Sequence, residues 1–440
     1  MDTEILDRLL LLNPWFRHPP AFATECRRHI PQPFVARRLA LEDALEARRA
    51  CLVVGPRQVG KSSLVWSGLQ SMQPDQVLVL QAEEPLVRRW AQSPVQVVHD
   101  IESEFPTVRR VFVEEAQQLD EAGLFIKGLV DAHRDWEIVV TGSSSYHLLA
   151  RTRESLAGRA IRRQLLPLTL GELVDFEAPA VPAVRTQLER QVAARQQILG
   201  AYPGVWFHPE PERHLGDLVE AFVLRDASDR FAIRDPQGFR RLLVFAAGQV
   251  GQMMNYSEWA TNLGVSAATV RAWVGLLEET WVLRQVPAFA GGRRNEITAA
   301  GRVHFYDLGI RNALLSRFEP ALERRADRGA LAEGWVFTTL AKVLPRGWDI
   351  HYWRSKGGAE VDFVLVGGDR LVGVEVKASG RQRVTRSLRS FVEAYQPELV
   401  MLVAGFDGGR REERLDRTRL LHIPLTDLER AIEEHLAPVA

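Results

Sequence analysis

The chain has 440 residues, 46% of them hydrophobic and 25% charged, a composition of packed globular domains that excludes pervasive disorder. Lys+Arg and Asp+Glu each number 56, for a net charge of zero, so capture of nucleic acid by bulk charge is excluded and any such binding needs a local patch. Two cysteines are too few for a disulfide framework or a cysteine zinc site, and no apolar run approaches the ~18 residues that cross a bilayer, so a cytoplasmic protein with no membrane partner is expected.

At ~150 residues per domain the length allows about three domains. An N-terminal segment, residues 1–30, carries a short apolar stretch, Leu9 to Leu12, behind acidic residues, unlike a signal peptide. Apolar spacing predicts a helix over 37–49, a short strand over 51–54 and a second helix in SSLVWSGLQSM. Strand-like runs follow at 76–81, 108–115 and 136–142, with a helix over 124–133 among them. Strands alternating with helices predict an α/β unit on a parallel sheet over 31–179, ending where FEAPAVPAV breaks the pattern. Residues 180–250 read as helical, 251–292 as winged-helix-like, and 293–440 as a second α/β region with strand-like runs at 359–366 and 370–378.

The segment Gly55-Pro56-Arg57-Gln58-Val59-Gly60-Lys61-Ser62 fits G-x-x-x-x-G-K-[ST] in full, between a strand and a helix. Backbone N–H groups of such a loop, together with the next helix residue Ser63, curl around phosphate where the helix dipole favours anions. Gly60 permits close backbone approach, Lys61 would reach the β- and γ-phosphates, and Ser62 would coordinate magnesium. ATP with Mg2+ is the expected ligand. A P-loop ATPase also needs a strand ending in acids, to hold magnesium and activate water. VFVEEAQ offers Glu114 and Glu115, although a solvated acidic pair is common at strand ends too.

With these motifs in view the chain resembles prokaryotic AAA-type ATPases that carry a C-terminal, nuclease-like domain of unknown function. The resemblance rests on GPRQVGKSSL, VFVEEAQ, IVVTGSS, SLAGRAIRRQLLPLTLGEL and, far downstream, YWRSKGGAEVDFVL with GVEVKAS. It implies that Glu114 takes the usual Walker B aspartate position, one methylene longer, and Glu115 that of the catalytic glutamate. It also implies a γ-phosphate sensor at Thr141 or Ser143 and an arginine-finger candidate at Arg159. An ordinary carboxylate-pairing arginine would look the same at that position.

YSEWATNLGVSAATVRAWVGLLEE has the shape of a helix-turn-helix: Ser257 caps the first helix, Gly264 makes the turn and Ser266 caps the second. Its outward residues would be Ala267, Ala268, Thr269 and Arg271, a weakly basic set, with Trp259 and Trp273 in the core and WVLRQVPAF in a wing. The same shape serves equally as a packing module.

Near the C-terminus, Asp362 lies in one strand-like run and Glu375 with Lys377 in the next, where a period of two puts the latter pair on one face. Gly367-Gly368-Asp369 between the runs suits an antiparallel hairpin, and Glu333 lies in a helix-like stretch. The four together match the acid–lysine core of restriction-endonuclease-like enzymes, in which Asp362 and Glu375 would hold magnesium and the lysine would position the attacking water. The resemblance implies this fold. Arg381, Arg383, Arg386 and Arg389 follow, suited to a phosphate backbone or to a solvated helix face. The histidines show no ligand spacing, so neither zinc nor acyl-transfer chemistry is expected.

Three readings follow: an ATP-driven switch or motor whose distal half engages DNA; an ATP-controlled, magnesium-dependent nuclease; and a signalling ATPase whose distal half contacts a protein partner. Oligomerisation is compatible with each.

Overall fold

The computed structural model describes residues 1–39, 41–42, 45, 48–142, 156–221, 233–289, 291, 300–379 and 384–438. They fall into two compact units: Met1–Leu166 with Glu279–Trp281, and Pro167–Glu278 with Val282–Ala440.

The first unit contains helices α1 (Thr3–Leu12) and α2 (Ala21–His29), then β1 (Ala50–Val54), α3 (Lys61–Leu69), β2 (Val77–Gln81), α4 (Pro85–Ala91), α5 (Pro94–Glu104), β3 (Arg110–Glu114), α6 (Ala122–Asp131), β4 (Glu137–Gly142) and β5 (Ala160–Gln164). Among the described residues five strands form one sheet in the order β2-β3-β4-β1-β5, every neighbouring pair parallel. β1 is buried throughout, as a central parallel strand covered on both faces must be. β5 was not evident from the sequence. Of its residues only Ile161 is buried, the rest being half-buried or exposed, as suits an edge strand. At the other edge, the Asn13 amide donates to the Val79 carbonyl at 3.0 Å and accepts from its N–H at 2.7 Å. Trp15 Nε1 donates to the Val77 carbonyl at 2.9 Å. Residues 1–30 thereby satisfy the exposed groups of β2 and belong to this unit.

One expectation fails here. Among the described residues of 37–49 none is α-helical; Glu42 alone lies in a 3-10 turn, with the Leu45 N–H donating to its carbonyl at 3.0 Å. The Arg37 guanidinium donates to the carbonyls of Val59 at 2.9 Å and Leu166 at 2.6 Å, and Arg48 adopts a left-handed φ of 68°, which no α-helix can run through.

In the second unit, α7 (Leu170–Glu177), α8 (Pro182–Leu199), α9 (Pro203–Trp206), α10 (Pro211–Leu218) and α11 (Pro236–Gly248) precede α12 (Tyr256–Leu263) and α13 (Ala267–Glu279). After them come β6 (Leu283–Val286), β7 (Ala288–Phe289), β8 (Arg302–Phe305), α14 (Leu308–Leu315), α15 (Arg328–Val343), β9 (Trp348–Arg354), β10 (Glu360–Gly367), β11 (Arg370–Lys377), α16 (Arg386–Tyr395), β12 (Leu399–Ala404), β13 (Arg411–Leu415), β14 (Thr418–Ile423) and α17 (Leu428–His435). A mixed sheet runs β13-β14-β12-β11-β10-β9-β7, with β6 and β8 as a separate pair. β10 and β11 form the expected antiparallel hairpin, Phe363 opposite Val374 and Gly367 opposite Arg370. α16 packs on the sheet through Leu388, Phe391 and Val392, while α15 packs against β11 and β8.

α12 and α13 meet at Gly264, and the Ser266 hydroxyl accepts from the Thr269 N–H at 3.0 Å. The first cap is Asn255, not Ser257: its side chain accepts from the N–H groups of Ser257 and Glu258, because Ser257 already lies inside the first turn. Trp259 and Trp273 are buried. Ala268 and Arg271 are exposed, Ala267 and Thr269 half-buried, and the Arg271 guanidinium lies 4.8 Å from the Tyr256 ring. β6 pairs antiparallel with β8.

Candidate functional sites

The P-loop turns sharply out of β1. A Cβ at Gly55 would lie 1.9 Å from the Leu165 carbonyl oxygen, so only glycine lets the loop leave the sheet here. The loop enters α3 at Lys61, which is 5% exposed; its Nζ donates to the carbonyls of Gly55 at 3.1 Å and Pro56 at 2.8 Å. A positive charge is thus held against the first turn of a helix, where the dipole is also positive. The adjoining cleft, about 370 Å³, is lined by Arg57, Gln58, Gly60, Lys61, Ser62, Ser63, Glu83 and Glu115. Val59 of the loop is fully buried. The Ser63 hydroxyl donates to the His29 carbonyl at 3.0 Å, so its side chain ties α3 to α2.

Glu114 ends β3. Burial pushes its carboxyl above the ordinary range; a hydrogen bond from the Ser62 hydroxyl opposes this, and the charges of Glu115 and Glu83 add to it. The next residue, Glu115, takes a left-handed backbone, φ 53°, where most side chains are strained. Its N–H donates to Thr141 Oγ1 at 3.1 Å, and its carboxylate accepts from Gln117 Nε2. Thr141, fully buried at the end of β4, thus reaches the acidic turn. Ser143 lies outside the described residues. Arg159 is paired elsewhere, its Nε 2.6 Å from Asp131 Oδ1. Glu83, just past β2, was not anticipated; the only signal for it was an acid closely following a strand.

The arrangement is a phosphate cradle with a lysine, beside a hydroxyl hydrogen-bonded to a carboxylate. Ser62 and Glu114 fit a magnesium ion that keeps most of its shell as water and phosphate oxygens, the usual habit of this cation.

The second unit gathers another cluster. Register places Asp362 opposite Glu375 across the hairpin. Asp362 Oδ2 accepts from the Val376 N–H at 2.7 Å, and Lys377 Nζ donates to Glu375 Oε1 at 2.5 Å. Glu333, from α15, faces both acids closely enough that Asp362 and Glu375 raise its pKa. Burial drives all three carboxyls up, Glu333 to about 8 and Glu375 to about 7. Burial works against the Lys377 charge, yet Glu375, Asp362 and Glu360 together outweigh it and the pKa rises.

Sequence patterns did not point to the rest of this pocket. Arg302 of β8, 4% exposed, lies 2.7 Å from Glu360 and 3.9 Å from Glu333. His304 Nε2 stands 3.6 Å from Glu333 Oε1, and burial, then the Arg302 charge, lowers its pKa to about 3. At Gly251, a Cβ would fall 2.9 Å from Glu333 Oε2, so a bare backbone makes room for the carboxylate. The opening, about 260 Å³, is lined by Gly251, Gln252, Met253, Arg302, Glu333, Arg354, Glu360 and Asp362.

Among the described residues no three His, Cys, Asp or Glu side chains form a metal cage. Glu333 Oε1 and Glu375 Oε2 are nevertheless buried acceptors with no hydrogen-bond partner, which suits a cation taking further ligands from water or substrate. Of the basic run, Arg386 and Arg389 lie on α16, while Arg381 and Arg383 are outside the described residues. No helix among the described residues is long and apolar enough to cross a membrane.

The parallel sheet, with its P-loop between β1 and α3, makes the first unit a P-loop NTPase domain. More narrowly, residues 47–174 match the family of the AAA domain, so the chain carries an AAA-type P-loop domain, and residues 328–426 match a C-terminal domain of unknown function (DUF4143). Residues 191–321 match another domain of unknown function (DUF8612). An uncharacterized protein of Mycobacterium tuberculosis is 28% identical over 355 residues, covering 80% of this chain and 75% of its own. One from Haemophilus influenzae is 22% identical over 344 residues, covering 74% and 81%. Among solved structures, a replication initiator DnaA bound to AMPPCP and single-stranded DNA is 13% identical, covers 57% of this chain and 92% of its own, and gives a TM-score of 0.25. That likeness is too slight to inform function.

Proposed function

We propose that the chain binds ATP with magnesium in the P-loop cleft and hydrolyses it, and that its second unit engages DNA. The observation that carries this is the Ser62–Glu114 hydrogen bond beside a cleft that Glu115 also lines. Gly55 to Ser63 would surround the phosphates with backbone donors, and Lys61 would turn from the loop carbonyls to their charge. Magnesium, when bound, neutralises phosphate charge; Ser62 and Glu114 would hold it. Glu115 would accept the proton of the attacking water. Thr141 would fix the turn that carries Glu115, with Thr141 or Ser143 sensing the γ-phosphate. Because Arg159 pairs with Asp131, an arginine-finger role would require it to leave that partner. DNA would meet α13, with WVLRQVPAF, which contains β6, serving as part of a wing. Parallel measurements of ATP turnover and of salt-dependent DNA binding by the purified chain test the proposal; no ATP binding, or no DNA binding at low salt, overturns the corresponding half.

A second reading is favoured by the clustering of Glu333, Asp362, Glu375 and Lys377: a magnesium-dependent nuclease under ATP control. Asp362 and Glu375 would hold the ion, and Lys377 would position water. Nicking of plasmid DNA that is lost in Asp362→Ala supports it; binding without nicking leaves the first reading; neither leaves a signalling ATPase with a protein partner.

A further inference from the structure

We infer that Gln117 is a positioning residue for ATP hydrolysis, holding the Glu115 carboxylate so that one oxygen is committed to the protein and the other is left for water. The inference rests on the proposed role of Glu115 as the proton acceptor.

Gln117 lies in the single turn Ala116–Gln118 that follows β3. The turn is closed by the Gln118 N–H donating to the Glu115 carbonyl at 2.9 Å. Glu115 itself is in the left-handed region, and its N–H is bound by the buried Thr141. Backbone placement is therefore settled by β4 and the turn. The carboxylate still has three rotatable bonds, and it lines an open cleft where water competes for it. Gln117 Nε2 donates to Glu115 Oε2, and only the NH2 end of an amide can face a carboxylate in this way. This bond removes the remaining freedom.

General-base catalysis requires the base within hydrogen-bond reach of the proton it takes, and contributes about 10²–10⁴-fold when correctly placed. Part of that factor depends on the carboxylate orientation that Gln117 imposes. Gln117 is not among the residues that line the cleft, so its replacement is expected to act on the cleavage rate and not on nucleotide affinity.

The test compares Gln117→Met, which keeps length and shape but has no donor, with Gln117→Asn, which keeps the amide but is one methylene too short. Both are made in the parent chain and in Glu115→Gln, and single-turnover ATP cleavage resolves the slow rates. Expected are a fall of about tenfold in the cleavage rate for both single variants, an ATP dissociation constant within twofold of the parent, and no further fall in the Glu115→Gln background. A parental rate in Gln117→Met overturns the inference, as does an equal loss in both backgrounds, which would mean that Gln117 acts without Glu115. A parental rate in Glu115→Gln instead removes the reading on which it stands.

Discussion

Replacing Glu333 by glutamine should stabilise the second unit at alkaline pH and flatten its pH dependence. Burial, with help from Asp362, raises the folded-state pKa of Glu333 from 4.5 to about 8. Between those values the unfolded chain has released the proton while the folded chain keeps it. The unfolded state thus binds fewer protons, and stability falls as pH rises. The window must avoid His304: its pKa is lowered to about 3, so below its ordinary value it contributes the opposite slope. From pH 6.5 to 8 that histidine is neutral in the folded state and loses its remaining half-charge in the unfolded one, an opposing gain of only about 0.4 kcal/mol. At about 1.4 kcal/mol per pH unit, Glu333 then removes about 2 kcal/mol across this window. Glu375, raised to about 7, adds a smaller loss of the same sign at its lower end. Converted at about 2–4 °C per kcal/mol for a unit of this size, the loss is a fall of roughly 4–8 °C in Tm. Thermal unfolding followed by tryptophan fluorescence, which includes Trp335 of α15, measures it. Glu333→Gln should remove most of the fall and unfold higher than the parent at pH 8. A parental Tm that is flat or rising from pH 6.5 to 8, or an equal slope in Glu333→Gln, would refute the reasoning.

Lys61→Ala should abolish ATP binding measured by calorimetry while leaving the fold intact by circular dichroism; wild-type affinity in the folded variant would defeat the P-loop assignment. Glu115→Gln should retain ATP but slow its hydrolysis by at least about a hundredfold, and Glu114→Ala should raise the magnesium concentration needed for half-maximal rate. Manganese or magnesium should raise the Tm of the second unit, more so at pH 8 than at pH 6, because a cation relieves the same repulsion that burial creates; an unchanged Tm counts against metal at Asp362 and Glu375. Asn255→Ala should lower stability by about 1 kcal/mol through loss of a helix cap, whereas Ser257→Ala should change it by less than half as much.

The two sites differ in how much of them a linear reading reveals. The P-loop is local: eight consecutive residues carry its glycines, lysine and hydroxyl, and the flanking apolar runs announce the strand and helix that hold it. Glu114 and Glu115 follow from the next requirement, an acidic strand end. Gln117 sits two residues further on, but its hydrogen bond depends on the left-handed turn at Glu115, which no residue type there announces. The helix expected over 37–49 is missed for a related reason: Arg48 takes a left-handed backbone that its residue type does not announce, and apolar spacing carries no information about such a turn.

The distal pocket shows the limit more sharply. The hairpin and its period of two place Asp362, Glu375 and Lys377 together because they are near neighbours in a sheet. Arg302 and His304 come from β8, which hydrogen-bonds with β6 rather than with the sheet that carries the acids. Only the packing of α15 against both β8 and β11 brings their side chains to Glu333. A charged residue in a wholly buried strand, as in RVHF, is the one trace this leaves in sequence, since such a group persists only with a partner. Arg302 has that partner in Glu360, and His304 has none within hydrogen-bonding distance. The imidazole therefore stands as an unspent acceptor against a carboxyl that burial keeps protonated near neutrality. An approach of a few tenths of an ångström would let Glu333 donate to it. The acid cluster is thus held together at neutral pH by the Glu333 proton and the Arg302 and Lys377 charges, and a cation entering among Glu333, Asp362 and Glu375 must displace that proton to bind.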